Sequence, residues 1–541
     1  MPEVTIDGRT LEVERGTNLI DAAHEVGVQI PHYCYHPRLS VVGQCRMCLV
    51  KVDGMRGLQP GCTTQVMKDG MMVHVDDAEV REAQQGMMEF LLINHPLDCP
   101  ICDQAGECGL QDYSFKHGQA FSRFRYEEKR TYPGKERIPL GPSVVLNMNR
   151  CIQCTRCIRF TEEVTGTGEL GFFQRGSRAE IGVFPDRVLD NDLSTCVVDL
   201  CPVGALTSTR FRFAERVWNL DKQPSICVGC DAGCNITIEH RRGSIRRHKP
   251  RFNTAVNDYW MCDHGRGTFE RYAQERRLRV PKLRKAGELQ TTSWKEVTGA
   301  LAGSLMAQHG EAALAFLATG YLTTEEAFLM AQIGSRIRSE ARFVLSEEGP
   351  TRSIPTPAGG VTGSECSPNR RGVELAGMKS SDPPFTLDQL LEGDAASRCG
   401  LLLVADGDPG SLLHRSEVLA KLRQAKRLVV MGWAETPLTK LADLILPIET
   451  HPEKTGTYVN TKGRLQPFEA AFPAPAGIRS GVSVLSDLLG TLDRRWKNLT
   501  PEQVFERMSR SVAGFYGRSF AELPAEGVSL EMPADPAGAT P

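Results

Sequence analysis

The chain has 541 residues, 18 of which are cysteines, and its formal net charge is −2 at pH 7. This length exceeds what one hydrophobic core supports, so two to four domains are expected. The nearly neutral charge argues against a general nucleic-acid-binding protein, and no apolar run of about 18 residues predicts a membrane-spanning helix.

The positions of the cysteines divide the chain into two halves. The N-terminus, Met1 to Asp7, lacks the basic and apolar segments of a signal peptide, which predicts a cytoplasmic protein whose thiols stay reduced. A dense cysteine set then indicates metal ligation or redox chemistry, because disulfides would not persist. Sixteen cysteines lie between Cys34 and Cys262, whereas only Cys366 and Cys399 follow.

The N-terminal segment, residues 1–77, is predicted to form a small β-grasp unit. Alternating residues at 4–6 and 11–14 predict a hairpin. Thr17 is the expected N-cap of a helix that ends near Val26. A cysteine-bearing loop follows this helix.

The second half of the chain has a different pattern. From about Ser293, helices alternate with apolar strands, which predicts a parallel, doubly wound α/β sheet. Residues after about Met532 are expected to be disordered. The predicted helices are 78–94, 294–308 and 323–338, and the predicted strands are 313–318, 342–345, 400–405 and 427–431. The predicted domains are 1–77, 78–126, 140–216, 220–276 and 285–490, followed by a C-terminal extension over 491–541.

The first cysteine set predicts a two-iron cluster. Plant-type ferredoxins place three thiolates on one loop and the fourth further along the chain. The gap between the first two cysteines, Cys34 and Cys45, is wider than in plant-type ferredoxins, so this set is a variant of that pattern. A zinc knuckle built on Cys45-x-x-Cys48 is the alternative. The first set is Cys34, Cys45, Cys48 and Cys62.

The second set combines one histidine with three cysteines and predicts a four-iron cluster. A neutral imidazole in place of a thiolate makes such a site one unit less negative, which is one determinant of cluster potential. The alternative for the histidine is a structural role at a helix end before Pro96. The second set is His95, Cys99, Cys102 and Cys108.

The third set follows the bacterial ferredoxin pattern, in which three close cysteines are completed by a distant Cys-Pro. Thr161 stands where a two-cluster ferredoxin would have a further cysteine, so a single four-iron cluster is predicted. Cys196 is out of register with this pattern and is interpreted as a small buried hydrophobic residue. The third set is Cys151, Cys154, Cys157 and Cys201.

The fourth set also offers four thiolates, which suit a four-iron cluster, with zinc as the alternative. Fifteen cysteines and one histidine therefore make four sets of four ligands. The predicted cofactors are one 2Fe-2S cluster and three 4Fe-4S clusters. The fourth set is Cys227, Cys230, Cys234 and Cys262.

Two other motifs are interpreted as structural. The string from Gly166 to Gly171 matches a dinucleotide fingerprint, but it lies between cluster cysteines and is predicted to be a loop. The basic run from His240 to Lys249 is predicted to be a hairpin centred on Gly243 rather than a phosphate site.

The order of the four sets resembles the large iron–sulfur subunit (the G subunit) of bacterial NADH–quinone oxidoreductase, respiratory complex I. The resemblance covers the chain from Pro2 to about Tyr272. It rests on three stretches, which are Cys45-Arg46-Met47-Cys48-Leu49-Val50, His95-Pro96-Leu97-Asp98-Cys99-Pro100-Ile101-Cys102 and Val197-Val198-Asp199-Leu200-Cys201-Pro202-Val203-Gly204-Ala205-Leu206.

The resemblance implies outer-sphere electron transfer from an NADH-oxidising flavin partner toward quinone, with no catalytic acid, base or nucleophile in this chain. The implied partners are the FMN/NADH-binding subunit, a 2Fe-2S thioredoxin-like subunit and the subunits of the quinone module. The implied location is peripheral, on the cytoplasmic side of the bacterial inner membrane. The chain has no convincing site for NADH, FMN or quinone.

From about Cys227 onward the chain also resembles the molybdopterin oxidoreductases, through the fourth set and the stretch from Ala442 to Arg464. The expected fold is therefore an α+β half, with a β-grasp 2Fe-2S ferredoxin, a His/Cys segment and a bacterial-ferredoxin-like module, followed by an α/β molybdopterin-oxidoreductase-like domain. The segment between Val344 and Leu401 is short and about seventy residues follow Phe468, so no molybdenum, tungsten or pterin is expected.

Two other functions remain open at this point. One is the catalytic subunit of an NAD-linked molybdenum or tungsten formate dehydrogenase, against which the short C-terminal half argues. The other is a scaffold with zinc in the cysteine sites. An iron-only hydrogenase is excluded because its active cluster needs further cysteines. If the pterin site is lost, the fourth set is expected to lie off the main electron path.

Overall fold

The computed structural model describes residues 1–272, 274–307, 313–337, 341–345, 348–355, 361–365, 367–378, 399–406 and 415–530. Cys366 and the tail after Met532 lie outside the described residues. The chain divides into two compact units, Met1–Leu220 and Asp221–Pro541. Within the described residues, no helix is long and apolar enough to cross a membrane.

The first unit begins with a five-stranded mixed sheet and one helix. The strands are β1 (Glu3–Ile6), β2 (Arg9–Glu12), β3 (Leu49–Val52), β4 (Gln59–Pro60) and β5 (Met71–His74), and the helix is α1 (Leu19–Glu25). The sheet order is β2-β1-β5-β3-β4, and only β1 and β5 pair in parallel. Alternate strand residues such as Val4 and Val73 pack against the helix in one core.

The predicted hairpin is confirmed, but the predicted helix cap is wrong by one residue. Asn18, not Thr17, caps α1, because its side-chain oxygen accepts hydrogen bonds from the backbone nitrogens of Ile20 and Asp21. Asparagine satisfies the free N–H groups of a first helical turn as well as threonine does. The cap fixes where the cysteine-bearing loop after α1 begins.

The rest of the first unit consists of short elements that leave long loops between them. The helices are α2 (Ala78–Leu92), α3 (Gly109–His117), α4 (Arg156–Arg159) and α5 (Cys196–Leu200), and α4 continues into a π-helical turn over Phe160–Val164. The strands are β6 (Ile138–Pro139), β7 (Val144–Leu146), β8 (Leu170–Phe173), β9 (Glu180–Val183) and β10 (Leu206–Ser208). The string from Gly166 to Gly171 leads from a helical turn into β8, so it is not a strand–turn–helix phosphate site.

The second unit opens with an antiparallel three-stranded sheet made of β11 (Asp221–Ile226), β12 (Asn235–Arg241) and β13 (Ser244–Pro250), followed by α6 (Asp263–Gly267). The basic run forms the predicted hairpin. Arg242 and Gly243 make its turn with φ angles of 50° and 78°. Both central residues of such a turn need a left-handed backbone, which glycine adopts readily.

The remaining elements of the second unit are β14 (Lys282–Lys285), β15 (Glu288–Thr291), α7 (Trp294–Ala307), β16 (Ala313–Thr319), α8 (Thr324–Arg336), β17 (Ala341–Leu345), β18 (Glu348–Ile354), β19 (Val361–Glu365), α9 (Arg370–Val373), β20 (Cys399–Asp406), α10 (Ser416–Leu422), β21 (Leu428–Gly432), α11 (Pro437–Leu441), β22 (Leu444–Pro447), β23 (Gly456–Val459), β24 (Arg464–Phe468), α12 (Gly481–Leu492), α13 (Pro501–Met508) and β25 (Val528–Ser529). A seven-stranded sheet forms the centre of this unit, in the order β15-β14-β22-β21-β20-β16-β17. Five neighbouring strands are parallel, as predicted, whereas the hairpin of β14 and β15 adds an antiparallel edge that the pattern did not predict.

Apolar side chains cover this sheet on both faces. Along β16, Phe316 packs into the core shared with α7, α8, α12 and α13. Its neighbour Leu317 packs into the core on the other face, with Val418 of α10 and Leu438 of α11. A strand buried on both faces carries a continuous apolar run, which is why these strands could be predicted from the sequence.

Candidate metal centres

The thiols of the first set meet in two pairs inside the first unit. Cys34 lies beside Cys45, and Cys48 lies beside Cys62. Interaction with the partner thiol lowers the pKa of Cys34 and of Cys62. All four side chains are buried, and Arg46 bends the loop with a φ of 54°. Two pairs of thiolates match a two-iron cluster, in which each iron takes two protein ligands.

The four side chains of the second set line one cavity of about 390 Å³. His95 follows α2, and Cys108 immediately precedes α3. Burial lowers the pKa of His95 to about 4, helped by the charges of Lys129 and Arg150. The imidazole is therefore neutral at pH 7 and has the lone pair that a metal ligand needs. Cys99 is exposed, so this site opens toward solvent.

In the third set, Cys151 and Cys154 lie in the loop before α4, Cys157 lies in α4, and Cys201 follows α5. Its four cysteines line one small cavity, and burial raises the pKa of Cys201 to about 12. Gln153 and Thr155 have left-handed φ angles of 55° and 65°, and the Gln153 backbone nitrogen lies 3.3 Å from the Cys151 sulfur. Buried thiols of this kind become thiolates only when a metal supplies the opposing charge.

The fourth set lies in the second unit, between β11 and β12 and at the start of α6. Backbone N–H groups of Gly229 and Gly265 donate to the sulfurs of Cys227 and Cys262, each over 3.3 Å. A Cβ on Gly265 would lie only 3.0 Å from the Cys227 sulfur, so a side chain there would crowd this thiol. Hydrogen bonds to ligand sulfurs are one way in which a protein tunes a cluster.

Over the described ranges of the chain, no three His, Cys, Asp or Glu side chains are grouped to hold a single metal ion.

Within the first unit, the third set lies between the other two. Arg159 donates hydrogen bonds to the backbone carbonyls of Cys34 and Cys154, which belong to the first and third sets. On the other side, the Cys108 sulfur lies 3.8 Å from the carbonyl of Pro202. A Cβ on Gly204, two residues after Pro202, would overlap the Cys102 sulfur. The ligand loops of neighbouring sets are thus in direct contact.

The three remaining cysteines have no established role. Cys196 is buried at the start of α5, as expected of a small buried residue. Cys399 is buried at the start of β20, where burial raises its pKa to about 11. Cys366 lies outside the described residues.

Sequence reasoning missed a network of charged side chains buried in the α/β half. Lys454 donates to both carboxylate oxygens of Glu326, over 2.6 and 2.8 Å. The neighbouring Glu325 accepts from the backbone nitrogen and hydroxyl of Thr457. All of these side chains are buried. In the sequence, the only sign of this network was the pair Glu325-Glu326 at the start of α8. Its partners, Lys454 and Thr457, lie more than 120 residues further along the chain, so no local pattern connects them.

Models of known families match five segments of the chain. They are described as a 2Fe-2S iron-sulfur cluster binding domain (residues 2–78), the NADH-ubiquinone oxidoreductase-G iron-sulfur binding region (84–123), the ferredoxin-like domain of NADH-quinone oxidoreductase subunit 3 (141–207), an NADH-ubiquinone oxidoreductase NDSU1/NuoG-like 4Fe-4S domain (220–270) and molybdopterin oxidoreductase (413–491). The first four segments contain all four predicted ligand sets.

Several curated proteins named as the G subunit of NADH-quinone oxidoreductase are similar to the chain. The Rickettsia felis protein is 31% identical over 91% of this chain and 88% of its own length. Those of Rickettsia bellii and Streptomyces coelicolor are each 41% identical, over 61% and 60% of this chain. These two matches span 47% and 38% of the relatives, about half of their length or less.

Among solved structures, the chain is similar to an NAD+-reducing [NiFe]-hydrogenase in the H2-reduced state. The sequence identity is 27%, and the match covers 40% of this chain and 91% of that chain with a TM-score of 0.36.

Proposed function

The chain belongs to the family of the G subunit of NADH-quinone oxidoreductase, and we propose on that premise that it carries electrons from an NADH-oxidising flavin module toward quinone. The observation that carries the proposal is the contact between the ligand loops of three sets in one unit. The formate dehydrogenase alternative is not favoured, because the relatives described above are named as the G subunit of the quinone-reducing enzyme.

The cofactors we propose are a 2Fe-2S cluster on the first set and 4Fe-4S clusters on the second, third and fourth sets. When bound, they supply one-electron transfer without proton or group transfer. The cysteines and His95 hold them, and the backbone N–H groups near Cys151, Cys227 and Cys262 donate to ligand sulfurs. No side chain needs to act as an acid, base or nucleophile.

A partner protein is proposed to cover the open face of the second set. Large apolar side chains around its cavity are exposed, including Phe115 at 89% and Phe121 at 73%. Exposed apolar clusters of this kind mark protein–protein contacts. The proposed partners are the flavin- and NADH-binding subunit, a thioredoxin-like 2Fe-2S subunit and the quinone-module subunits, at the cytoplasmic face of the bacterial inner membrane.

Two matched variants test the proposal. Cys154→Ala, in the third set between the other two, should abolish NADH-to-quinone transfer per flavin in the purified complex. Cys230→Ala, in the fourth set, should reduce the amount of assembled complex and leave turnover per assembled complex largely unchanged, because metal binding there contributes folding energy. Normal quinone reduction by the Cys154→Ala complex would contradict the proposed path. Assembled Cys230→Ala complex without turnover would make the fourth set an obligatory carrier.

A further inference from the structure

Two arginines of α4 lie between the first and third sets. Arg159 is only 5% exposed, and it donates to the carbonyls of Cys34 over 2.6 Å and Cys154 over 3.3 Å. A third bond, to the carbonyl of Ser40, completes its contacts across to the first ligand loop. One guanidinium thus holds the backbones of two ligand loops that are more than 100 residues apart in sequence.

Arg156, one turn earlier on α4, makes a similar bridge. It donates to the carbonyl of Tyr35, next to the first set, and to the carbonyl of Leu200, next to the third set. Its Nε atom is buried and has no hydrogen-bond partner among the described residues. Both arginines therefore face ligand loops on two sides.

Neither arginine forms an ion pair with a carboxylate in the part of the chain that the structure describes. Their hydrogen bonds go to backbone carbonyls and, for Arg159, to the hydroxyl of Thr155. A buried guanidinium without an anion is strongly unfavourable, because burial removes its hydration and nothing opposes its charge. The contrast is Arg150, which is as buried as Arg159 but forms an ion pair with Asp98 at 3.0 Å.

Besides Glu163, whose carboxylate accepts hydrogen bonds from Ser40, the groups near the two arginines that can carry negative charge are the predicted ligand thiols. The charge of Arg156 acts on Cys154, Cys201 and Cys34, and the charge of Arg159 acts on Cys34 and Cys154. A cluster held by four thiolates has a net negative charge, which grows by one unit on reduction. A positive charge beside such a cluster stabilises its reduced state more than its oxidised state.

We infer that Arg156 and Arg159 are positioning residues that supply a shared positive charge to the first and third sets and raise the reduction potentials of both. This inference rests on the proposed function, because it requires clusters on both sets. Since one pair of charges serves two sites, the two potentials are raised together. The same side chains fix the spacing of the two ligand loops through their carbonyl contacts.

The test is a redox titration of the full chain, purified anaerobically with its clusters and followed by electron paramagnetic resonance. The two-iron and four-iron signals are separated by their temperature dependence. Arg159→Gln removes the charge and Arg159→Lys keeps it. In Arg159→Gln we expect the reduction potentials of the first and third sets to fall by about 59 mV each. For a one-electron couple this is a roughly tenfold lower ratio of reduced to oxidised cluster at a given potential. Arg159→Lys should retain most of the original potential.

Arg81→Gln is the matched control, because Arg81 is 60% exposed, lies in an ion pair with Asp76 and should leave both potentials unchanged. Unchanged potentials in Arg159→Gln, or equal shifts in the glutamine and lysine variants, would overturn the inference. If Arg159→Gln loses a cluster, the same redox titration is made on Arg156→Gln, where lowered potentials support the inference and unchanged potentials overturn it. Failure of the proposed function is distinguishable, since the unaltered chain would then lack the two-iron or four-iron signals.

Discussion

The ion pair of Lys454 and Glu326 gives a sharp test of the α/β half. Glu326 is fully buried at the start of α8 and Lys454 is 6% exposed by side chain. Glu326 also accepts a hydrogen bond from the backbone nitrogen of Thr323, over 2.9 Å. The carboxylate therefore both pairs with the lysine and caps the helix.

Lys454→Met should lower the free energy of unfolding by about 3–5 kcal/mol, because it leaves one buried charge without its partner. The double variant Lys454→Met/Glu326→Gln should recover part of this loss, since no unpaired charge remains. Urea denaturation followed by circular dichroism measures the free energy of unfolding of each variant. The comparison requires that its dependence on urea concentration, the m-value, is the same in all variants.

The control is the exposed pair of Lys285 and Glu296, in which both side chains are 47% exposed. Lys285→Met should cost about 0–1 kcal/mol, because water screens an exposed pair. The reasoning is refuted if Lys454→Met destabilises no more than Lys285→Met, or if the double variant is less stable than Lys454→Met alone.

Two further outcomes follow from other buried groups. Burial raises the pKa of Glu325 to about 7 and that of Glu449 to about 8. Between pH 5 and pH 8 the folded chain therefore holds protons that the unfolded chain releases. The free energy of unfolding should fall as the pH rises through this range. Glu449→Gln should flatten this slope, and an unchanged slope would contradict it. His95→Cys adds a negative charge to the second set and should lower the potential of its cluster alone, as a redox titration would show; an unchanged potential would argue against ligation by His95.

The features that could be predicted from the sequence are those that depend on residues close together in the chain. The four predicted ligand sets rest on cysteines at short intervals, which have few other uses where thiols stay reduced. The strands around Phe316 and Leu403 could be recognised because each is a continuous apolar run buried on both faces. The N-terminal hairpin could be predicted because its residues alternate between apolar and polar side chains.

The features that sequence reasoning missed depend on contacts between distant residues or on backbone conformation. The bond from Arg159 to Cys34 spans 125 residues, and the Lys454–Glu326 pair spans 128. No periodic pattern encodes either contact. The left-handed turn at Gln153, which precedes the Cys154 ligand, is equally invisible because residues other than glycine seldom adopt it. The only sign of Arg156 and Arg159 in the sequence was that both basic residues flank Cys157 of the third set.

The central claim is that the four sets hold one two-iron and three four-iron clusters. Metal and sulfide analysis of the full chain, purified anaerobically with its clusters, tests it most directly. The account predicts about 14 irons per chain, with no stoichiometric zinc, molybdenum or tungsten in the chain. About ten irons after careful reconstitution, with one ligand set unoccupied, would contradict the four-cluster assignment. Stoichiometric molybdenum or tungsten together with formate oxidation would establish the alternative function.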